Sequence, residues 1–184
     1  MNVKKRKLTN TEMRLISELM KNSRRSDRQL AKALSVSQPT VTRTMAKLEK
    51  EGMIKEYTIV PDFTKLGYTL LAVTFVKLKE SLTPDQTAKA RDPARKSLRE
   101  NYDEVFMLER GIGIDSNGVF LSIHKDYSSY LDFKKWLNQF EFLQISNIES
   151  FLVNLEDEIH YRPLTFATLA KHILRLQEAD QKRS

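Results

Sequence analysis

Residues 26–54 read SDRQLAKALSVSQPTVTRTMAKLEKEGMI, and the spacing of apolar residues in this stretch decides how the front of the chain folds. Ser26 is placed to cap a helix over residues 27–34, on which Leu30, Ala31 and Leu34 share one buried stripe. Ser35-Val36-Ser37 breaks that helix, and Val36, the lone apolar residue of the turn, is expected to plug the gap between two helices. Ser37 is placed to cap the second helix. Pro39 falls in its first turn, where a missing N–H leaves no intrahelical acceptor unfilled. Val41, Met45 and Leu48 then face inward at helical spacing.

The opposite side of the second helix carries Pro39, Arg43, Ala46, Lys47 and Lys50, with Thr40 and Thr42 on its flanks. It holds no large apolar residue and no carboxylate before Glu49, which suits a groove walled by phosphates. The DNA major groove admits one helix, whose first side chains meet base edges while flanking cations meet phosphates. Gln38, Thr40, Thr42 and Arg43 are therefore base-edge candidates. Lys47, Lys50, Arg24, Arg25 and Arg28 are phosphate candidates, because they bring charge without base-reading geometry. A solvated polar face is the plain alternative for any exposed helix side.

Charge favours the first reading. The chain has 184 residues and a net charge of +7, and residues 1–60 hold 14 Lys/Arg against 6 Asp/Glu while residues 61–184 hold 17 against 18. A positive excess confined to the front third points to a polyanion, with binding that weakens steeply in salt. There is no Cys, which excludes disulfides and thiolate metal sites. His124, His160 and His172 stand apart, without a metal-ligand spacing, and are expected to be surface or half-buried imidazoles; no metal or cofactor is expected. No apolar run reaches the length of a membrane span, and the basic N-terminus lacks the apolar core of a signal peptide. A cytoplasmic protein without membrane contact is expected.

Before the quoted stretch, Lys4-Lys5-Arg6-Lys7 forms a basic arm expected to be disordered, and a first helix from Leu8 to about Asn22 offers Met13, Ile16, Leu19 and Met20 as its inward stripe. After it, Gly52 supplies the left-handed cap of the second helix. Tyr57–Val60, rich in β-formers, reads as a short strand ending at Pro61. The organisation expected is a helix-turn-helix domain over 1–60, a linker over 61–67, a second domain over 68–156, and a C-terminal helix and tail over 157–184.

The second domain has a different rhythm. Tyr68–Leu78 reads as a strand, Pro84–Asn101 as a helix interrupted at Pro93, Val105–Glu109 and Val119–Lys125 as strands with a turn at Asn117-Gly118, and Ile145–Leu155 as the last strand. Between them Asp126 caps a helix reaching Phe140, with Tyr127, Tyr130, Leu131, Leu137 and Phe140 on one side. The order β-α-β-β-α-β gives a ferredoxin-like, four-stranded antiparallel sheet with two helices on one face. Strands of this sheet carry apolar residues on both faces, so the uncovered face is expected to pair with a second copy. A dimer would present two reading heads to a two-fold symmetric DNA site. A final helix over about Thr165–Gln177 is followed by a polar tail from Ala179.

The stretches RQLAKALSVSQPTVTRTMAKLEKEGMI (Arg28–Ile54) and IKEYTIVPDFTKLG (Ile54–Gly67), with the βαββαβ order behind them, resemble the leucine-responsive regulatory protein/asparagine-synthetase regulator (Lrp/AsnC) family of transcription regulators. The resemblance implies an α+β fold: a winged helix-turn-helix, then a ferredoxin-like (ACT-like) module and a C-terminal helix. It implies that Ser37, Gln38, Thr40, Thr42, Arg43 and Lys47 stand where family members meet double-stranded DNA. It also implies homodimers through the C-terminal sheets, often octamers, and an amino-acid effector between dimers. The effector loop departs from the family pattern: Gly111 and Gly113 precede Asp115, but Ser116-Asn117-Gly118 intervenes before the strand. Gly111, Gly113 and Asp115 are the effector candidates on this reading. The same two-module layout is similar to siroheme decarboxylases, yet where those enzymes carry a His this chain has Arg99-Glu100-Asn101-Tyr102. A nucleoid-associated architectural protein is the third reading, since it needs the same cationic head.

Overall fold

A computed structural model of the chain describes residues 6–78, 85, 93, 96–139, 145–159 and 164–181. Helix α1 (Asn10–Lys21) starts at a reciprocal cap, in which Thr9 Oγ1 accepts from the Glu12 N–H at 3.2 Å and Glu12 Oε2 accepts from the Thr9 N–H at 2.8 Å. Ser26 and Gln29 make the same device for α2 (Asp27–Leu34). Helix α3 (Gln38–Lys50) begins at Ser37 with Pro39 in its first turn, but the Ser37 hydroxyl bonds the Thr40 hydroxyl at 2.8 Å instead of a backbone N–H. Gly52 leaves α3 at φ 68°, the left-handed cap that a side chain resists.

Leu15, Leu19, Leu30, Ala31, Leu34, Val41 and Leu48 form one buried cluster, with Val36 and Met45 against it. The inward face of α1 is thus centred on Leu15, a position absent from the expected stripe of Met13, Ile16, Leu19 and Met20. The difference is about one residue's rotation, because Ser17 on the adjoining face is also buried and donates to the Ala170 carbonyl at 3.0 Å. That carbonyl belongs to the last helix, α6 (Ala167–Gln181), which packs on α1. Residues 1–61 and 161–184 accordingly make one compact unit, and residues 62–160 make the other. Helix α6 continues through Ala179 to Gln181, past the expected start of the tail.

Tyr57–Val60 does not form the expected strand: these residues are exposed and have no ladder partner. A strand of β-formers is only as stable as the edge it pairs with, and the described residues of one chain offer it none.

In the second unit, a short 3₁₀ turn (Thr64–Leu66) leads to β1 (Leu70–Leu78). Residues 96–101 are the described end of a helix, α4, and most of the expected Pro84–Asn101 helix lies outside the described residues. Strands β2 (Val105–Gly113) and β3 (Ser116–His124), helix α5 (Tyr127–Asn138) and β4 (Ile145–Asn154) complete the unit. The sheet order is β2-β3-β1-β4, all antiparallel, as the ferredoxin-like reading requires. The hairpin turn falls at Ile114-Asp115, both at positive φ (51° and 47°), and not at Asn117-Gly118. Gly118 lies inside β3 opposite Val76, where a Cβ would stand 2.8 Å from Val76 Cγ2. Close approach of the two strands, rather than a turn, selects glycine there.

One face of the sheet is covered. Ala72, Val76 and Phe120 meet Tyr130, Phe133 and Leu137 of α5. Phe133 replaces the expected Tyr127, which is exposed, at the centre of that helix face; Phe140 lies outside the described residues. The other face carries Leu71, Val73, Phe75, Leu121, Ile123 and Phe151; Ile123 is buried, Leu71, Val73, Phe75 and Leu121 are half-buried, and Phe151 is 67 % exposed.

His124 is a correction to the sequence reading, for it is buried at 1 % exposure on the covered face. Its Nε2 lies 2.8 Å from Ser122 Oγ, its ring abuts Tyr130 and Phe133, and Nδ1 has no partner. Burial pushes its pKa from 6.5 down to about 4, a little offset by Asp126. The unfolded chain then takes up a proton between these values that the folded unit refuses, so stability falls as pH drops from about 6.5 to about 4, by on the order of 3 kcal/mol. Urea unfolding followed through the single Trp, Trp136 of α5, will show this loss, and His124→Gln will flatten it.

Candidate DNA-reading face

The apolar cluster holds the Val41–Leu48 side of α3 inward, so the opposite side faces solvent. Gln38, Arg43 and Lys50 are exposed there, and their side chains make no hydrogen bond or ion pair with a described residue. Arg24 and Arg28 are likewise exposed, and their guanidinium groups have no partner among the described residues. These five are the groups in this set whose donors are open to an incoming ligand.

The remaining sequence candidates are tied into the head itself. Thr42 Oγ1 donates to Asp27 Oδ2 at 2.5 Å, linking α3 to the first residue of α2. Thr40 and Ser37 share the hydroxyl bond that opens α3. Arg25 is paired with Glu18 of α1. Lys47 Nζ lies 3.0 Å from Glu12 Oε1, a carboxylate with 4 % exposure.

Glu12 is the hub of a network that spacing alone did not reveal. Arg6 donates to its two oxygens, each at 2.9 Å, and to Glu51 Oε2 at 2.8 Å. Arg6 foremost, helped by the Thr9 N–H and Lys47, holds the Glu12 carboxyl well below the usual carboxylate range despite its burial. The last residues of the basic arm therefore include a clamp: Arg6 binds the start of α1 to the end of α3, while Lys4 and Lys5 lie outside the described residues. A Thr-x-x-Glu pattern at 9–12 was the available signal for Glu12, since its carboxylate faces back over the helix start.

Two further side chains support the face. Arg14 donates to the Leu34 and Ala33 carbonyls at 3.2 and 3.1 Å, filling acceptors that the end of α2 leaves open. Tyr57 donates its hydroxyl to Glu49 Oε1 at 2.7 Å, and partial burial, then this hydrogen bond and the Glu49 charge, push its pKa up to about 12. Glu49, the carboxylate that interrupts the cationic side, is thus covered by a hydroxyl from the following segment.

The effector candidates lie on the β2–β3 hairpin. Gly111 and Gly113 flank the fully exposed Ile112, and Asp115 Oδ1 accepts from Lys77 Nζ at 2.6 Å. The motif that carried the enzyme comparison is structural: Tyr102 packs on Trp136 and Phe133 with ring centroids 4.4 and 5.5 Å apart, and Asn101 donates to the Ser97 carbonyl at 2.8 Å. Ser122 and His124 have the spacing of a nucleophile and its base, but both are shut inside the unit, beyond a substrate's reach.

A family model described as winged helix-turn-helix DNA-binding matches residues 8–55. An uncharacterized HTH-type transcriptional regulator of Pyrococcus abyssi is 36 % identical over 155 residues, which is 84 % of this chain and 95 % of that protein. The structure of Bacillus subtilis LrpC overlays with a TM-score of 0.64 at 23 % identity, covering 85 % of this chain and all of that one. A transcriptional regulator of Neisseria meningitidis, solved in complex with L-Met, shares the fold at a TM-score of 0.67 and 17 % identity over 86 % and 94 % of the two chains.

Stability of the reading head is expected to depend on Glu12 in acid. A carboxyl whose folded pKa is depressed stabilises fully above its ordinary value of 4.5 and loses that contribution as pH falls below it. Thermal melts should show a steep loss below about pH 4.5 that Arg6→Ala makes shallower, because that variant brings the folded and unfolded values together. The match along most of its length to an HTH-type transcriptional regulator makes this chain a member of the HTH-type, DNA-binding transcriptional regulators, and its fold is that of the Lrp/AsnC-type regulator LrpC.

Proposed function

We propose that the protein acts as a homodimer that reads a two-fold symmetric DNA site with its two α3 helices, Gln38 and Arg43 touching base edges and Lys50, Arg24 and Arg28 holding phosphates. The observation that carries this is the division of α3: its inner side is fixed by Val41 and Leu48, and its outer side presents Gln38 and Arg43, whose side-chain donors have no partner among the described residues. Glutamine bonds adenine and arginine bonds guanine in the major groove. Thr40 sits beside them and offers its methyl to thymine.

Two features support the dimer. The sheet face turned away from α5 bears five apolar side chains that are partly or largely exposed, Leu71, Val73, Phe75, Leu121 and Phe151, an apolar surface of the kind that a second copy covers. Tyr57–Val60 is a run of β-formers whose backbone lacks a ladder partner, and a second copy of the same segment can supply one. Both would be covered by one two-fold assembly.

Selection of a binding site from a random duplex pool, followed by fluorescence anisotropy, tests the reading. Arg43→Ala is expected to weaken the selected site by about 1–3 kcal/mol and relax preference at one base pair per half-site, while Lys50→Ala weakens all sequences and lowers the salt slope by about one. An architectural protein would yield no selected site, and Arg43→Ala would then bind every duplex as the parent does.

An amino-acid effector is the second reading, favoured by the L-Met complex of the Neisseria fold neighbour. On this chain Asp115 would receive the ammonium group near Gly111 and Gly113, displacing Lys77. Calorimetry against the twenty amino acids should then give heat with at least one, and no heat with no change in assembly size removes the reading.

A further inference from the structure

Lys47 is on the outer side of α3, yet its ammonium is bound to a carboxylate buried in α1. A cation contributes to DNA affinity by replacing condensed counterions on phosphates. One that keeps a protein carboxylate as its partner brings little uncompensated charge to the duplex. Glu12 does not release its charge easily, since Arg6 and the Thr9 N–H keep it ionised.

The same carboxylate reaches α3 a second time. Arg6 bonds Glu12 and Glu51 together, so α1 is tied to α3 at Lys47 directly and at Glu51 through one guanidinium. The apolar cluster sets the rotation of α3 coarsely, and two off-axis ties one turn apart narrow the range that remains. Rotation decides where Arg43 and Thr40 point. With side-chain tips about 5–6 Å from the axis, a turn of about 20° moves them by about 2 Å, beyond the tolerance of a hydrogen bond to a base edge.

We propose that Glu12 and Lys47 are positioning residues for DNA reading: the ion pair between the exposed lysine and the buried carboxylate fixes the final rotation of α3, and Lys47 is not a phosphate ligand. The proposal rests on α3 being the reading helix and deepens that reading. It separates Lys47 from Lys50, three residues further along, which has the same charge and no protein partner among the described residues.

The experiment compares Lys47→Met, Glu12→Gln and the double variant with Arg43→Ala and Lys50→Ala as controls. Each full-length protein is titrated on the selected site and on a random duplex of equal length over a range of salt. Lys47→Met keeps the aliphatic stem, so it carries the test even if Glu12→Gln fails to fold. The expected result is a salt slope on random duplex unchanged by Lys47→Met, against a fall of about one for Lys50→Ala. The ratio of selected to random affinity should drop about tenfold in Lys47→Met and in Glu12→Gln, and no further in the double variant. A slope lowered by about one in Lys47→Met with the ratio intact makes Lys47 a phosphate ligand and overturns the proposal. A lowered melting temperature with slope and ratio both intact makes the pair a purely structural tie, which overturns it as well. Should Arg43→Ala and Lys50→Ala also bind as the parent does, the reading of α3 itself falls, and this proposal with it.

Discussion

The reading head depends on one constraint: Leu15, Leu30, Leu34, Val41 and Leu48 must share a single dry cluster. Three short helices of 12, 8 and 13 residues have little stability of their own. Once those side chains are buried together, the direction of every polar residue on α3 follows. Polar ties then refine what the apolar cluster sets coarsely. Thr42 to Asp27, Arg14 to the end of α2, and the Glu12 hub each fix one further degree of freedom, and each uses a charged or strongly polar group whose partner lies on another helix.

Where local periodicity decides, the chain could be read directly. The α2–α3 unit, its caps at Ser26 and Gly52, the plug at Val36 and the antiparallel βαββαβ order all follow from spacing and turn residues over fewer than a dozen positions. Legibility ends where a residue answers to a neighbour far away in sequence. Ser17 is buried because of Ala170, Gly118 because of Val76, and His124 because α5 lies over it. Asn117-Gly118 has the composition of a turn, but the pairing of Val76 with Gly118 draws those residues into β3 and moves the turn to Ile114-Asp115. Lys47 is the same lesson on the candidate site: helical spacing places it outward, and only the three-dimensional position of Glu12 shows what holds its charge.

The second unit divides its work by face. Residues 72, 76 and 120 meet α5 and make the core, and the alternate residues 71, 73, 75 and 121 form a partly exposed apolar surface. The covered face includes polar groups that must be satisfied inside, as Thr74 and Ser150 are by a mutual bond at 2.9 Å. His124 is the exception, with one ring nitrogen satisfied and one bare, so the core tolerates imidazole only in its neutral form.

Helix α6 gives the head a property that the linear order of elements conceals. Segments on either side of the sheet module in sequence, residues 1–61 and 161–184, build the same unit. During synthesis, α1 leaves the ribosome well over a hundred residues ahead of the segment whose Ala170 carbonyl accepts the Ser17 hydrogen bond. The DNA-binding half therefore matures last, although it is made first, and a nascent or truncated chain lacking its final helix holds a three-helix head with one side still open to water.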